Sequence, residues 1–346
     1  MAGNLGFNLS DYDFDLPESS IAQKPAEIRD NSKLLIFDRK TETITHKYFY
    51  EIDQYFNEND LLVLNNSKVI PARLFGEKEN GAKIDVVIVE EIANREFTVI
   101  TKLAKLKVGQ KIIFTDKLEA IFLGRKDEYG VLKFNLNKHD FYVEIEGHGK
   151  MPLPPYIKRE ADEKDRDRYQ TVYAKNSGSI AAPTAGLHFT KEVLAKIKAR
   201  ETLIEYVTLH VGVGTFKPIK TDQIKEHKMM AEEYEIPEDF FKNKKRITTV
   251  GTTSTRTLES FAKTGKLMDK TDLYIYPGHK FFIDRLITNF HVPHSTPLML
   301  VAAFIADGLE GENKVERAVK ILKKIYAEAI EKGYRFYSYG DAMLII

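Results

Sequence analysis

Three prolines within four positions, in Met151-Pro152-Leu153-Pro154-Pro155-Tyr156, separate stretches of this chain that carry different patterns. Proline fixes φ and stiffens the chain towards polyproline II, so the segment predicts a rigid crossover between domains. An SH3-type ligand would need a disordered flank, which the surrounding sequence does not supply. Before the crossover, from residue 69 to about 149, short apolar runs such as 83–89, 97–100 and 118–122 are separated by Gly, Asn and Asp. No long helical period is visible there, and the spacing predicts a small β-barrel or sandwich. After the crossover, strand patterns at 205–211 and 246–250 alternate with helical ones. The segment 315–331 places Val315, Ala318, Val319, Leu322, Ile325, Tyr326 and Ala329 on one helical stripe. Strand patterns also occur at 33–37 and 61–64, near the start of the chain. The reading is an α/β fold: a mixed α/β domain in two pieces, 1–65 and 156–346, with a β-barrel domain of residues 66–155 inserted between them.

Two runs of small residues carry one imidazole each. They are Ala181-Ala182-Pro183-Thr184-Ala185-Gly186-Leu187-His188-Phe189 and Thr208-Leu209-His210-Val211-Gly212-Val213-Gly214-Thr215-Phe216. Small residues let backbone approach a ligand closely, and a histidine among them can move a proton near neutral pH. One such histidine reads first as a satisfied core or loop residue; two this close together favour a ligand pocket. The Gly212-Val213-Gly214 pair follows a strand, but no third glycine follows and Phe216-Lys217-Pro218 does not open a helix. A dinucleotide fold, including its methyltransferase use, is therefore disfavoured. No P-loop is present. The strand 246–250 runs into Gly251-Thr252-Thr253-Ser254, read as a loop before a helix from about Thr255. Its amides suit an anionic or polar ligand, with Arg256 in the first turn; a plain hydroxyl-rich N-cap is the competing reading.

Two further segments carry imidazoles. His227-Lys228-Met229-Met230-Ala231-Glu232-Glu233 sets one near carboxylates but has no second His or Cys, so a metal site and a solvated polar turn are balanced. Asn289-Phe290-His291-Val292-Pro293-His294-Ser295-Thr296 is another polar loop, following a strand-like run.

With 346 residues the chain is long enough for two domains, and it holds no apolar run of about 18 residues that would span a membrane. Residues 1–15 are polar and acidic, so no signal peptide is expected and the reading is cytoplasmic. The absence of cysteine excludes disulfides, thiolate metal sites and a Cys nucleophile. A net charge of +1 argues against a non-specific nucleic-acid coat but leaves room for a local basic patch. Lys102, Lys105, Lys107 and Lys111 form such a run with no acid between them; taken alone, a charge run is a solvated face.

Together the motifs resemble the S-adenosylmethionine:tRNA ribosyltransferase-isomerase family of queuosine biosynthesis. The resemblance covers nearly the whole chain. It rests on Asp15-Leu16-Pro17, Ile21-Ala22-Gln23, Asn65-Asn66-Ser67-Lys68-Val69-Ile70-Pro71-Ala72-Arg73-Leu74, the proline crossover, Arg168-Tyr169-Gln170-Thr171-Val172-Tyr173 and both Gly/His runs. It continues through residues 250–259, 288–291 and 334–343.

The resemblance implies that S-adenosylmethionine is a substrate that gives up its ribosyl carbons. The acceptor is the aminomethyl group of 7-aminomethyl-7-deazaguanine at the tRNA wobble position. The products are epoxyqueuosine-tRNA, adenine and methionine. It implies no metal or other cofactor, tRNA as partner, no membrane, and a monomer. Its proton-transfer candidates are His188 and His210, with His227 and Glu232 beside them. Substrate-binding candidates are Pro183, Thr184, Gly186, Gly212, Gly214, Thr215, Thr252, Thr253, Arg256, Asn289, His291, Arg335 and Asp341; tRNA candidates are Lys102, Lys105 and Lys107. The sequence departs from the family in two places. Met230 stands where His-x-Met-His-x-Glu usually has its second histidine, and Pro297 replaces a common leucine. A tRNA-binding protein without catalysis and a nucleoside hydrolase are the rival readings.

Overall fold

The computed structural model describes residues 6–240 and 245–346; the first five residues of the polar N-terminus lie outside them. Strands β1 (Lys33–Asp38), β2 (Thr43–Tyr48) and β3 (Asp60–Asn65) come first, followed by the short β4 (Ser67–Val69). Next come β5 (Arg73–Lys78), β6 (Lys83–Ala93), β7 (Glu96–Ile100), β8 (Lys111–Ile113), β9 (Glu119–Lys126) and β10 (Tyr129–Phe134), with helices α1 (Lys138–His148) and α2 (Glu163–Arg168). The rest of the chain gives β11 (Asn176–Ser179), α3 (Lys191–Ala199), β12 (Leu203–Leu209), β13 (Glu232–Glu235), β14 (Arg246–Val250), α4 (Gly251–Thr264) and β15 (Met268–Thr271). It closes with β16 (Arg285–Asn289), α5 (Thr296–Asp307), α6 (Lys314–Glu331) and β17 (Ala342–Ile345).

Nine strands form one mixed sheet in the order β15-β13-β12-β3-β14-β16-β17-β1-β2. Its centre is parallel: β12, β3, β14 and β16 run the same way. β3 is apolar without alternation because both its faces are covered, as parallel strands require. Leu61 and Val63 pack with α4, α5 and α6. Leu62 and Leu64 face the opposite layer, where Phe49, Val193 and Ile197 lie. The stripe on α6 is buried as its spacing predicts, from Ala318 to Ala329.

Strands β5 to β10 close into a barrel, in the order β10-β7-β6-β5-β8-β9. Alternation along β5 and β6 puts Leu74, Ile84, Val86 and Ile88 inside. One element differs from the expectation of an all-β segment: α1 caps the barrel, with Phe141 wedged 4.5 Å from Phe97 and 4.7 Å from Phe134, ring centre to ring centre. Only Phe141, Glu144 and Ile145 of α1 are buried, too few to print a helical stripe on the sequence. Ile180 and Val213 from the α/β part belong to the barrel's apolar cluster, and β4 pairs with β11, so the two parts share a packed junction. We propose that the inserted domain spans residues 66–155. Among the described residues no helix is long and apolar enough to cross a membrane.

Candidate active site

The parallel strands deliver their C-terminal ends to one edge of the sheet, the place where open α/β sheets hold ligands. The edge is opened by Asn65 and Asn66, at the end of β3. Asn65 Nδ2 donates to the Leu209 carbonyl at 3.0 Å, and its Oδ1 accepts from the amides of Ser67 and Leu209. Asn66 Oδ1 accepts from the Thr208 hydroxyl at 2.8 Å. Side-chain amides thus take over from the strand ladder as β3 and β12 part. A cavity of about 210 Å³ lies beyond these ends. Its wall includes Pro183 and Thr184 from the first Gly/His run, Thr215, Phe216 and Lys217 after the second, Gly251, Thr252 and Thr253 after β14, and Asn289 and His291 after β16.

The segment read as a loop at Gly251–Ser254 is the first turn of α4. Gly251 has φ +82°, a left-handed conformation that suits glycine and makes the sharp turn out of β14. Hydroxyls that favour caps elsewhere turn back into the helix here. Ser254 Oγ donates to the Val250 carbonyl, and Thr255 Oγ1 donates to that of Gly251. Arg256 therefore sits a full turn along the helix and faces away from the cavity. It is buried against Glu232, and its Nε donates to the Leu273 carbonyl at 2.9 Å. Glu232 in turn accepts from the Gly212 amide at 2.8 Å. This pair braces the Gly212–Gly214 turn from behind.

Two imidazoles stand on the cavity wall: His294, which pairs with Asp13, and His291. Nε2 of His291 is 2.8 Å from Thr288 Oγ1, and among the described residues its Nδ1 has no hydrogen-bond partner. Burial pushes its pKa down to about 3, so the ring is neutral at pH 7. Pro297 fills the first turn of α5 and reaches the same wall, a position proline tolerates because it needs no amide there.

His188 lies behind the wall rather than on it. It borders a pocket of about 20 Å³ with Arg29 and Arg335, and its Nδ1 is 2.8 Å from Ser32 Oγ. Burial lowers its pKa to about 4, while Asp341 and the Asn289 amide pull the other way. Gly186, in the same run, is packed so that a Cβ would fall 2.1 Å from the Tyr173 hydroxyl. His210 is half-buried against Gly178, its buried Nδ1 has no partner among the described residues, and burial lowers its pKa. His227 packs edge-on to Tyr274 at 5.1 Å, and burial lowers its pKa as well. Asp341 accepts from the amides of Lys33 and Arg335 and holds the C-terminal turn.

The structure thus brings together Pro183, Thr184, Thr215, Thr252, Thr253, Asn289 and His291. It sets His188, His210, His227, Glu232, Gly186, Gly212, Gly214, Arg256, Arg335 and Asp341 outside that wall. Sequence reasoning missed Tyr156, Tyr337 and Lys217. Tyr156 and Tyr337 stack at 3.7 Å, and Tyr337 holds φ 70°, an uncommon backbone state for a residue with a side chain. The only local signal for Tyr156 was its place at the end of the proline crossover.

Phe216 and Lys217 also border a second, larger opening of about 1270 Å³ along the outer wall of the barrel. Lys102 and Lys105 line it with Phe75, Ile100 and Ile113; Lys107 does not, and Lys111 pairs with Glu119 on the barrel wall. Met230, at the junction, puts its sulfur 3.4 Å from the Tyr129 hydroxyl of β10, and Lys217 Nζ donates to the same hydroxyl at 2.7 Å. Among the described residues, no group of three or more His, Asp or Glu side chains is placed to hold a metal ion.

The chain matches the model of the family described as queuosine biosynthesis protein over residues 9–345. It is 47% identical over 348 residues to the S-adenosylmethionine:tRNA ribosyltransferase-isomerase of Sulfurihydrogenibium sp. (strain YO3AOP1), covering 98% of this chain and 99% of that one. It is 44% identical to the protein of the same name from Thermotoga maritima, with the same coverage. A crystal structure of an S-adenosylmethionine tRNA ribosyltransferase from Thermotoga maritima aligns with a TM-score of 0.54 at 35% identity, covering 97% of this chain and all of that one. With matches that run from end to end and include both Gly/His runs, this chain belongs to the queuosine biosynthesis protein family.

Proposed function

We infer that this protein transfers and isomerises the ribosyl moiety of S-adenosylmethionine onto the aminomethyl group of 7-aminomethyl-7-deazaguanine at the tRNA wobble position. The products are epoxyqueuosine-tRNA, adenine and methionine, and S-adenosylmethionine is a substrate rather than a cofactor. The observation that carries this reading is the end-to-end relationship to S-adenosylmethionine:tRNA ribosyltransferase-isomerases at 44–47% identity.

The chemistry needs a proton acceptor near the ribose carbon beside the sulfonium, a donor for the departing adenine, and a way in for a base lifted from the anticodon stack. His291 meets the first need by position: it is neutral, held on one nitrogen by Thr288 and open on the other. We therefore move proton transfer to His291 from His188 and His210, because a proton-transfer group must first reach the substrate. His188 is a positioning residue behind Asn289. Tyr156, Phe216 and Tyr337 offer ring faces to a sulfonium or an adenine. The target base enters from the opening along the barrel, where Lys102 and Lys105 meet backbone phosphates.

Incubation with S-adenosylmethionine and tRNA carrying the aminomethyl base tests this reading. Adenine release that needs both substrates supports it. Release from S-adenosylmethionine alone identifies a hydrolase, and tRNA binding without release identifies the non-catalytic binder that Met230 raises as a rival.

A further inference from the structure

Among the described residues, the cavity wall carries no carboxylate side chain; its charged or ionisable members include Lys217, His291 and His294. Two helices, α4 and α5, begin on it. The first amides of a helix have no partner within the helix. In α4, among the described residues, no side chain caps them: Val250 stands at the N-cap, and the nearby hydroxyls of Ser254 and Thr255 are committed to carbonyls. A second observation points the same way. Thr253 is 8% exposed, and among the described residues its buried Oγ1 has no hydrogen-bond partner. That oxygen sits 3.5 Å from where a Cβ on Gly251 would stand, and Gly251, Ala185 and Thr253 all border the cavity. A buried hydroxyl left unpaired costs free energy that a ligand can recover. Aligned amides, a helix dipole and an idle hydroxyl form a seat for a small anion.

We propose that the first turn of α4, Gly251 to Thr253, holds the methionine carboxylate of S-adenosylmethionine. This rests on the reaction inferred above. The carboxylate is the anionic group of that substrate. A tRNA phosphate is the other anion available, but none of Gly251, Thr252 or Thr253 borders the opening along the barrel. Seating the carboxylate here fixes the amino-acid end beside α4 and leaves the sulfonium and ribose to point towards His291. The first turn then acts as an anchor far from the bonds that change.

The test compares S-adenosylmethionine with its decarboxylated analogue by calorimetry, and tRNA binding by gel shift, on the full-length protein. Wild type should bind the analogue roughly 10-fold or more weakly, the scale of a charge-assisted hydrogen bond. Thr253→Val should weaken S-adenosylmethionine several-fold and leave the analogue unchanged, whereas Thr253→Ser, which keeps the hydroxyl, should restore binding. Equal binding of both nucleosides by wild type overturns the proposal while leaving the inferred reaction intact. Equal weakening of both by Thr253→Val also overturns it. Loss of tRNA affinity with S-adenosylmethionine unaffected assigns the seat to a phosphate and overturns it too. If wild type binds neither nucleoside, the inferred reaction fails, and the anchor fails with it.

Discussion

The barrel and the nine-stranded sheet are built from the same apolar residue types but offer ligands different kinds of surface. In the sheet, layers of helix and turn cover both faces of β3, which is buried from Asp60 to Asn65, so a ligand reaches the central strands at their ends. Glycine turns, helix starts and side-chain amides gather at those ends, and the cavity lies there. The barrel fills its interior with its own side chains and α1, and its outer wall remains available. Phe75, Ile100 and Ile113 are each 44% exposed there, next to Lys102 and Lys105. A buried sheet concentrates function at a point, where geometry can be exact enough for bond-making. A barrel wall spreads it over an area, which suits a long polyanion read by its backbone.

The largest test removes a brace on the sheet side of the junction. Arg256→Met leaves Glu232 buried without its counter-charge and should destabilise the protein by about 3–5 kcal/mol in urea unfolding. A loss below about 1 kcal/mol would mean that the Gly212–Gly214 turn is held by other groups.

Acidification sharpens the same contrast. An unfolded histidine takes its proton near its ordinary pKa of 6.5, whereas buried His188 waits until about 4. The unfolded state therefore binds more protons in that window, and stability falls as pH drops from about 6.5 towards 4. The contribution is on the order of 3 kcal/mol at the acid end. His188→Gln should flatten that part of a pH series of unfolding curves; an unchanged slope would trace the acid sensitivity to other groups.

Catalysis should then separate from folding. His291→Ala should lower adenine release with saturating substrates by roughly 100-fold or more while tRNA affinity stays within about 2-fold. If His188→Ala or His210→Ala costs more turnover than His291→Ala, the chemical centre lies behind the wall described here. On the barrel side, Lys102→Ala with Lys105→Ala should weaken tRNA several-fold and leave turnover at saturation unchanged. For each phosphate that no longer meets a lysine, the slope of log affinity against log salt should become shallower by about 0.7–0.9. A fall in turnover with no change in affinity would break the division between the two surfaces. The smallest effect belongs to the junction. Met230→His should change turnover by only a few-fold, because Met230 touches Tyr129 and Lys217 rather than the cavity.

Local pattern was enough for the elements that carry their own periodicity. The strands β1, β3 and β14 were legible as short unbroken runs and the helix α6 as a spaced stripe, because each carries its signal within its own residues. The switch of pattern at the proline crossover separated barrel from sheet for the same reason. The resemblance carried by the Gly/His runs and the Asn65-Asn66 turn then pointed to the family. The start of α4 was misread because threonine and serine prefer caps when isolated. Only the surrounding strands make their hydroxyls turn back to helix carbonyls. The pairing of β10 with β7 and of β5 with β8, and the capping of the barrel by α1, depend on partners distant in sequence.

The roles of the histidines were the least legible. His188 and His291 sit in equally suggestive motifs, and nothing local says which ring faces the cavity. Ser32, 156 residues from His188, holds one ring behind the wall, while Thr288 holds the other on it. The sequence by itself determined the elements that carry their own pattern, the two-part plan and the family, because those follow from short-range pattern and motif. The tertiary structure alone decided which polar groups are buried, paired or open, because burial and pairing are set by strands and helices that meet only once the chain has folded.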